Sequence, residues 1–470
     1  MRIHIIRCLV LCAMIFSVST LMAQTTQWRD IHKVKRHETI FGIAKDYGVT
    51  IEDLLNANPE MKQAGYELKK GTWIFVPFGK NGDKKSPANA ASTPANAAAK
   101  ATGTTPATAQ KSVPAAMSSV RVGIMLPLHN NDGDGKRMVE YYRGMLMAFN
   151  DLKAQGINTE VHAWNVPKDA DIRTTLLDNS AANLDIIFGP LYSNMVKPLG
   201  DFCRQHGIKL VIPFSITGND VSANSNIFQV YQEPSELNSK TLGAFLERFQ
   251  KDGQPIFVNC NDAGSDKGSF TSALRQALDA SKVAYKLSNV NTPLAQFAKA
   301  LSSTKTNVIV LNTARSPQLN RVFSKLDSLK AIRPELKISM FGYNEWLMYQ
   351  KYDLDNFFKY NVYIPTTYYY NAASDKTQAL EKQYLSQFGT QMMEEWLPRM
   401  ALTGYDQGMY FITGMSHYGK AFSGTESQSS YRPQQTRLVF KKTGASGGYI
   451  NNNFQLIHFK SDRTMESLTY

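Results

Sequence analysis

Four stretches place reactive residue types at spacings that chemistry uses. Ser302-Ser303-Thr304-Lys305 has the Ser-x-x-Lys spacing of a serine nucleophile with its lysine, and Lys442-Thr443-Gly444 repeats the Lys-Thr-Gly that accompanies it in acyl-transfer sites. The Ser-x-Asn that completes such a site is missing between them. Ser302 also closes a helical stretch just before Val308, where a nucleophile should open one. Asn130 to Tyr141 spaces Asp132, Asp134 and Gly135 like a calcium loop, but Tyr141 stands where a bidentate Glu is needed. That stretch is therefore read as a flexible loop. Cys203 with His206, and His37 with Glu38, lack the further ligands that a metal requires. The expectation is a chain that is not an enzyme, with no metal and no cofactor.

The elements that would position these residues fall into two groups. Near the N-terminus, Ile40, Ile43, Ala44 and Tyr47 form one apolar stripe of a two-turn helix that Thr39 can cap and Gly48 can end. Thr50 with Asp53 forms a capping box for a second helix carrying Ile51, Leu54 and Leu55, which Asn58-Pro59 stops. Trp73 to Val76 is a short β run that can pair with Ile31 to Val34. From Val120 onward, strand and helix alternate. Strands are expected at 120–126, 161–164, 186–188, 210–212, 227–230, 256–259, 283–287, 308–311 and 338–341. Met138, Tyr141, Tyr142, Met145, Phe149 and Leu152 mark the inner face of the first intervening helix. Such alternation builds doubly wound parallel sheets covered on both faces. Val439-Phe440 and Phe454 to Phe459 read as a terminal hairpin.

The stretch 31–78 resembles a LysM domain along its whole length, a small βααβ unit, with His37-Glu38 in place of the usual Gly-Asp. The resemblance implies binding to N-acetylglucosamine-containing glycan, which in a bacterial envelope means peptidoglycan. The implied sugar groove lies between His37, Glu38, Thr39 and Ile40 on one side and Asn58, Pro59 and Glu60 on the other. Backbone groups and short polar side chains suit a ligand that offers hydroxyls and amides.

Residues 119–470 resemble type I periplasmic binding proteins of the branched-chain amino acid receptor class, a two-lobed doubly wound α/β fold. The matches are Val122 to Leu128, Tyr142-Arg143-Gly144, Ile187 to Ser193 with its Gly-Pro-x-x-Ser, Lys209 to Ser215, and Gly404-Tyr405-Asp406. Ligands of α/β sheets sit beyond the carboxyl ends of the strands. That places Leu128, Tyr192, Ser193, Ser215, Tyr231, Asn261, Asn312, Tyr343 and Thr366 around a cleft between the lobes. The resemblance implies that Ser193 and Ser215 hold a ligand carboxylate. The acid that faces a ligand ammonium in these receptors has no counterpart in Asn312-Thr313-Ala314-Arg315-Ser316. Helix capping accounts for the same hydroxyls equally well.

Composition frames both units. Arg2 and Arg7, an apolar run from Cys8 to Val18 and Leu21-Met22-Ala23 read as a signal peptide over 1–23, which implies export to the periplasm. No later stretch reaches the roughly 18 apolar residues that span a bilayer. Residues 79–118 are rich in Ala, Thr, Pro, Lys and Ser and read as a flexible linker. If coil-like, such a linker separates its ends by roughly 35 Å, and by about 120 Å if stretched as polyproline II. Beyond the signal, an oxidising compartment permits a bridge between Cys203 and Cys260, while burial preference favours reading them as unpaired core residues. The formal charge of +13 over 470 residues suits an anionic neighbour, and export excludes nucleic acid. The expected function is a non-catalytic binding protein held on the cell wall, whose large domain takes a small polar ligand such as an amino acid or muropeptide. The alternative is an envelope scaffold whose receptor-like lobes dock cell-wall synthesis proteins.

Overall fold

The computed structural model describes residues 28–36, 38–62, 66–77, 117, 119–214, 216–429 and 431–470. The expected signal peptide, all but one residue of the expected linker, and the candidates His37 and Ser215 lie outside the described residues, as do the side chains of Pro59 and Glu60.

The N-terminal unit runs β1 (Trp28–Lys33), α1 (Ile40–Tyr47), α2 (Ile51–Ala57) and β2 (Trp73–Pro77). Thr39 caps α1 by accepting the Gly42 N–H at 3.1 Å, and Gly48 ends it in the left-handed region at φ 67°. Thr50 accepts the Asp53 N–H at 3.0 Å and opens α2. The two strands pair antiparallel with Ile31 opposite Phe75. Ile43, Leu54, Ile74 and Val76 close a small core between helices and strands.

The first lobe is built from β3 (Ser119–Leu126), α3 (Gly133–Ala154), β4 (Asn158–Asn165), α4 (Ile172–Thr175), β5 (Ile186–Phe188), α5 (Val196–His206), β6 (Lys209–Ile212) and β7 (Ile227–Gln229). The second follows with α6 (Pro234–Phe249), β8 (Gly253–Asn259), α7 (Lys267–Ala280), β9 (Lys286–Asn289), α8 (Leu294–Lys299), β10 (Thr306–Leu311), α9 (Ser316–Ile332), β11 (Ile338–Phe341), α10 (Gln350–Lys359) and β12 (Val362–Thr366). The chain then returns through α11 (Asp375–Phe388), α12 (Met400–Tyr418), β13 (Phe440–Lys442) and β14 (Tyr449–Asn451), and ends on β15 (Gln455–Phe459) and β16 (Met465–Thr469). One sheet has the order β4-β3-β5-β6-β7-β14-β13 and the other β9-β8-β10-β11-β12-β15-β16. In each, the first several strands are parallel, the central ones are buried on both faces as their near-continuous apolar runs require, β4 and β9 form partly exposed edges, and the late strands add an antiparallel edge.

Three expectations are corrected. The terminal hairpin does not form: Phe440 pairs with Asn451 in the first sheet, whereas Gln455–Phe459 pairs with β12 and β16 in the second. Both segments carry apolar residues on strands, but periodicity does not say which sheet edge a strand joins. The stretch 130–141 is a helix start rather than a flexible loop, since Asp132 accepts the Gly135 N–H at 2.7 Å and launches α3 at Gly133. The strand expected at 283–287 is displaced to Lys286–Asn289.

The chain passes between the sheets three times, after β7, after β12 and between β14 and β15. Asn453 ties all three passages. Its Nδ2 donates to the Thr367 carbonyl at 2.8 Å, and its own carbonyl accepts from the Gln232 side-chain amide. Lys240 adds bonds to Gln232 Oε1 at 2.9 Å and to the Asn452 carbonyl at 3.0 Å.

Candidate functional site

In the N-terminal unit the groove candidate Glu38 is held by a network that sequence reasoning missed. Glu38 accepts the Lys35 backbone N–H at 2.7 Å and pairs with His32 Nε2 at 2.6 Å, while His32 Nδ1 meets the Tyr47 hydroxyl at 3.1 Å. The Lys35 N–H first, and His32 after it, hold the Glu38 carboxyl below its usual range. The acidic side chain thereby braces the turn. Asn58 is fully buried and donates to the Leu54 carbonyl at 2.7 Å, so it shapes the opposite loop. Thr39 is exposed and Ile40 half-buried. Beside them Phe41, which the apolar stripe omits, is 65% exposed.

In the first lobe Gly189 adopts φ 135°, and a Cβ there would meet the Met125 carbonyl at 2.2 Å, so only glycine lets β5 turn into its loop. Ser193 follows and accepts the Thr217 N–H at 2.8 Å, which joins the loops after β5 and β6. The Tyr192 hydroxyl donates to Asp134 at 3.3 Å, and burial followed by that carboxylate pushes it up to about 12. The Leu128 N–H donates to Asn165 at 2.8 Å. Tyr231 lies half-buried at the first passage between sheets, raised by burial and then by Glu233.

The second-lobe candidates bond to neighbouring groups of the same lobe. Asn261 sits at φ 55° and exchanges amide bonds with Asn289 at 3.0 and 2.8 Å. Asn312 accepts the Cys260 N–H at 2.8 Å and donates to Asn259 at 3.2 Å. Tyr343 is buried and donates to the Leu311 carbonyl, and Thr366 is buried and donates to Asn344 at 3.0 Å. An acid does stand near these strand ends, but it comes after β8. Asp262 accepts from Thr313 at 2.7 Å and from Arg315 at 3.2 Å, and its side chain is only 4% exposed. Its charge is already matched. Of the eight cleft candidates among the described residues, Asn312 alone lines any of three cavities, of about 380, 640 and 690 Å³. The largest lies between the residues around Met348 and the returning segment around Met392.

The chemically suggestive motifs are occupied by local structure. Ser302 Oγ accepts the Thr304 and Lys305 N–H groups at 3.2 and 3.0 Å, forming a turn ahead of β10 in the second sheet. Lys442-Thr443-Gly444 turns from β13 to β14 on the first sheet, so the two half-motifs belong to different lobes. Cys203 and Cys260 are buried in separate cores, and burial pushes the Cys260 thiol up to about 11. Among the described residues no group of three or more His, Cys, Asp or Glu could hold a metal, and no helix is long and apolar enough to cross a membrane.

Gly404-Tyr405-Asp406 acts in packing. A Cβ on Gly404 would lie 1.9 Å from the Tyr141 carbonyl, so the glycine lets α12 touch α3. The Tyr405 hydroxyl donates to Asp151 at 2.9 Å. Asp406 is fully buried and accepts from the Tyr431 hydroxyl and from the Gln434, Gln435 and Thr436 N–H groups, all within 2.9 Å.

The sequence pattern of LysM domains matches residues 32–77, and that of periplasmic binding proteins matches 119–429. No curated protein matches the chain. Among solved structures, a putative branched-chain amino acid ABC transporter protein from Rhodospirillum rubrum is 13% identical with a TM-score of 0.50, covering 75% of this chain and all of its own. A substrate-binding protein from Desulfitobacterium hafniense in complex with Leu is 13% identical with a TM-score of 0.40, over 74% of this chain and all of its own. A leucine binding protein from Thermotoga maritima is 11% identical with a TM-score of 0.38, over 74% and 97%. The long family match and the paired sheets agree: the chain belongs to the periplasmic binding protein family and carries a LysM domain ahead of that fold.

Proposed function

We propose that this protein is a non-catalytic, exported binding protein fastened to peptidoglycan by its LysM domain, with a two-lobed domain that takes a small polar ligand. The observation that carries the reading is the pairing in one chain of a LysM unit with a complete two-sheet binding-protein fold. In the proposed division, residues 1–23 direct export to the periplasm, 31–78 hold glycan, 79–118 form a tether and 119–470 bind ligand. The groove from Glu38 to Ile40 and around Asn58 meets the sugar, with Phe41 as an apolar platform at its edge. The cleft residues, from Tyr192 and Ser193 in one lobe to Asn261 and Asn312 in the other, present hydroxyls and amides.

Co-sedimentation with purified sacculi tests the anchor. The full chain is expected to pellet and a chain lacking residues 28–77 to stay in solution. Pelleting of both would remove the LysM anchor. Phe41→Ala is expected to weaken the binding severalfold without changing thermal stability, because its side chain is largely solvent-exposed.

The internal bonding of the cleft candidates favours a second reading, in which the lobes dock other envelope proteins. The exposed Met348 and Leu385 beside the 690 Å³ cavity are the surface it would use. Cross-linking in the envelope distinguishes it, since a ligand receptor yields no consistent protein adduct there.

A further inference from the structure

The second lobe holds a cavity of about 380 Å³ between α7 and the carboxyl ends of β8, β9 and β10. Val258, Val310 and Leu287 supply apolar wall, and Asn259, Asn289 and Asn312 stand with Arg275, Thr271 and Ser288 as its polar groups. The volume is within the range of small-molecule sites.

The hydrogen bonds reveal which polar valences remain. Asn259 Oδ1 accepts from the Asn261 N–H at 2.9 Å and from Asn312 Nδ2 at 3.2 Å. Asn289 Oδ1 accepts from Asn261 Nδ2 at 3.0 Å and from the Asn291 N–H at 2.9 Å. Asn312 Oδ1 takes the Cys260 N–H at 2.8 Å. An amide oxygen offers two lone pairs, so those of Asn259 and Asn289 are filled and that of Asn312 is half used. What is left over is mainly N–H: both hydrogens of Asn259 Nδ2 and one each on Asn289 and Asn312, beside one lone pair on Asn312 Oδ1 and the Ser288 hydroxyl. Arg275 is half-buried and has no hydrogen-bond or ionic partner among the described residues. No carboxylate lines the cavity.

A pocket whose free valences are mainly donors around one unmatched guanidinium recognises an acceptor that carries negative charge. With no acid to meet an ammonium, it disfavours a free amino acid. We propose that this pocket is a binding site for a small organic carboxylate lacking a free amino group, held by Arg275 and the Asn259 and Asn312 amides, with its apolar part against Val258 and Val310. The inference rests on the reading of residues 119–470 as a ligand-binding domain and names the ligand class and the lobe that takes it.

The test is thermal unfolding of the full chain with lactate, benzoate and N-acetylalanine as carboxylate probes. Alanine, leucine and N-acetylalanine methylamide serve as comparisons. At least one carboxylate is expected to raise the melting temperature in a saturable way, while alanine and the methylamide do not. Arg275→Gln and Asn259→Asp are each expected to weaken that binding at least tenfold. Gly268→Leu should abolish it by filling the cavity, because Gly268 lines the space and a Cβ there meets nothing within 4 Å. All three variants are expected to melt near the parent without probe. A carboxylate shift that survives Arg275→Gln and Gly268→Leu would overturn the site. A shift with alanine or leucine alone, equal in parent and variants, would overturn it while leaving the receptor reading intact. The absence of any shift across the panel would overturn both.

Discussion

Glu140 and Asp406 are buried acids that differ in how well their charge is met. Glu140 is 2% exposed and accepts the Met393 N–H at 2.8 Å, while its other oxygen has no partner among the described residues. Burial raises its pKa to about 7 against the moderating fields of Arg399 and Arg143. An acid whose folded pKa lies above its unfolded value binds more protons when folded, so its stabilising contribution is complete below about pH 4.5 and is lost as pH rises through about 7. Glu140→Gln keeps the acceptor and removes the ionisation. Urea unfolding is expected to show the variant more stable than the parent by on the order of 2 kcal/mol above about pH 8, with the difference gone below about pH 5. An identical slope in both would show that Glu140 does not titrate in this window. Asp406 is raised by burial to about 6 despite its four donors. Asp406→Ala would strand those donors, and a loss of roughly 3 kcal/mol is expected from the same measurement.

At the level of elements, the closest helix approach among the described residues is between α3 and α12. A Cβ on Gly144 would fall 1.8 Å from the Ala401 carbonyl, and one on Gly408 would meet the Ala148 Cβ at 2.8 Å. With Gly404 these positions form a smooth strip where the helix backbones touch, closed by the Tyr141 hydroxyl on Gln407 at 2.6 Å. Gly404→Ala is expected to cost roughly 2–3 kcal/mol through forced helix separation. Gly243, on α6, meets nothing within 4 Å of its would-be Cβ. Gly243→Ala should therefore stabilise by about 0.5–1 kcal/mol through helix propensity alone. Equal effects at the two sites would refute the close-approach explanation.

For the molecule as a whole, side-chain bonds tie the passages between the two sheets. Asn453 is 4% exposed and bonds to passages more than 80 residues away in sequence. Asn453→Ala leaves the Thr367 carbonyl without that bond, and a loss of about 1–2 kcal/mol is expected. Small-angle scattering should show a broader spread of lobe separations than in the parent, and an unchanged profile would show that Asn453 does not hold the lobes together.

The sequence by itself determined the local elements and their class. Thr39, Thr50 and Gly48 mark the helix ends because caps act within a few residues, and the near-continuous apolar runs from Val120 to Phe341 mark buried parallel strands because both faces must be covered. The ordered motifs of the LysM unit and of the first lobe were legible for the same reason, since each lies within one supersecondary unit. Only the tertiary structure decided what depends on distant partners. It set Phe440 and Gln455 on different sheets, turned Glu38 inward onto His32, and matched Asp262 with Arg315 across 53 positions. It also filled the oxygens of Asn259 and Asn289 with donors from Asn261, Asn291 and Asn312, and gave that of Asn312 the Cys260 N–H, while leaving Arg275 unmatched among the described residues. Residue type announces that an amide can donate and accept; which of the two is left for a ligand follows from the neighbours that folding brings to it.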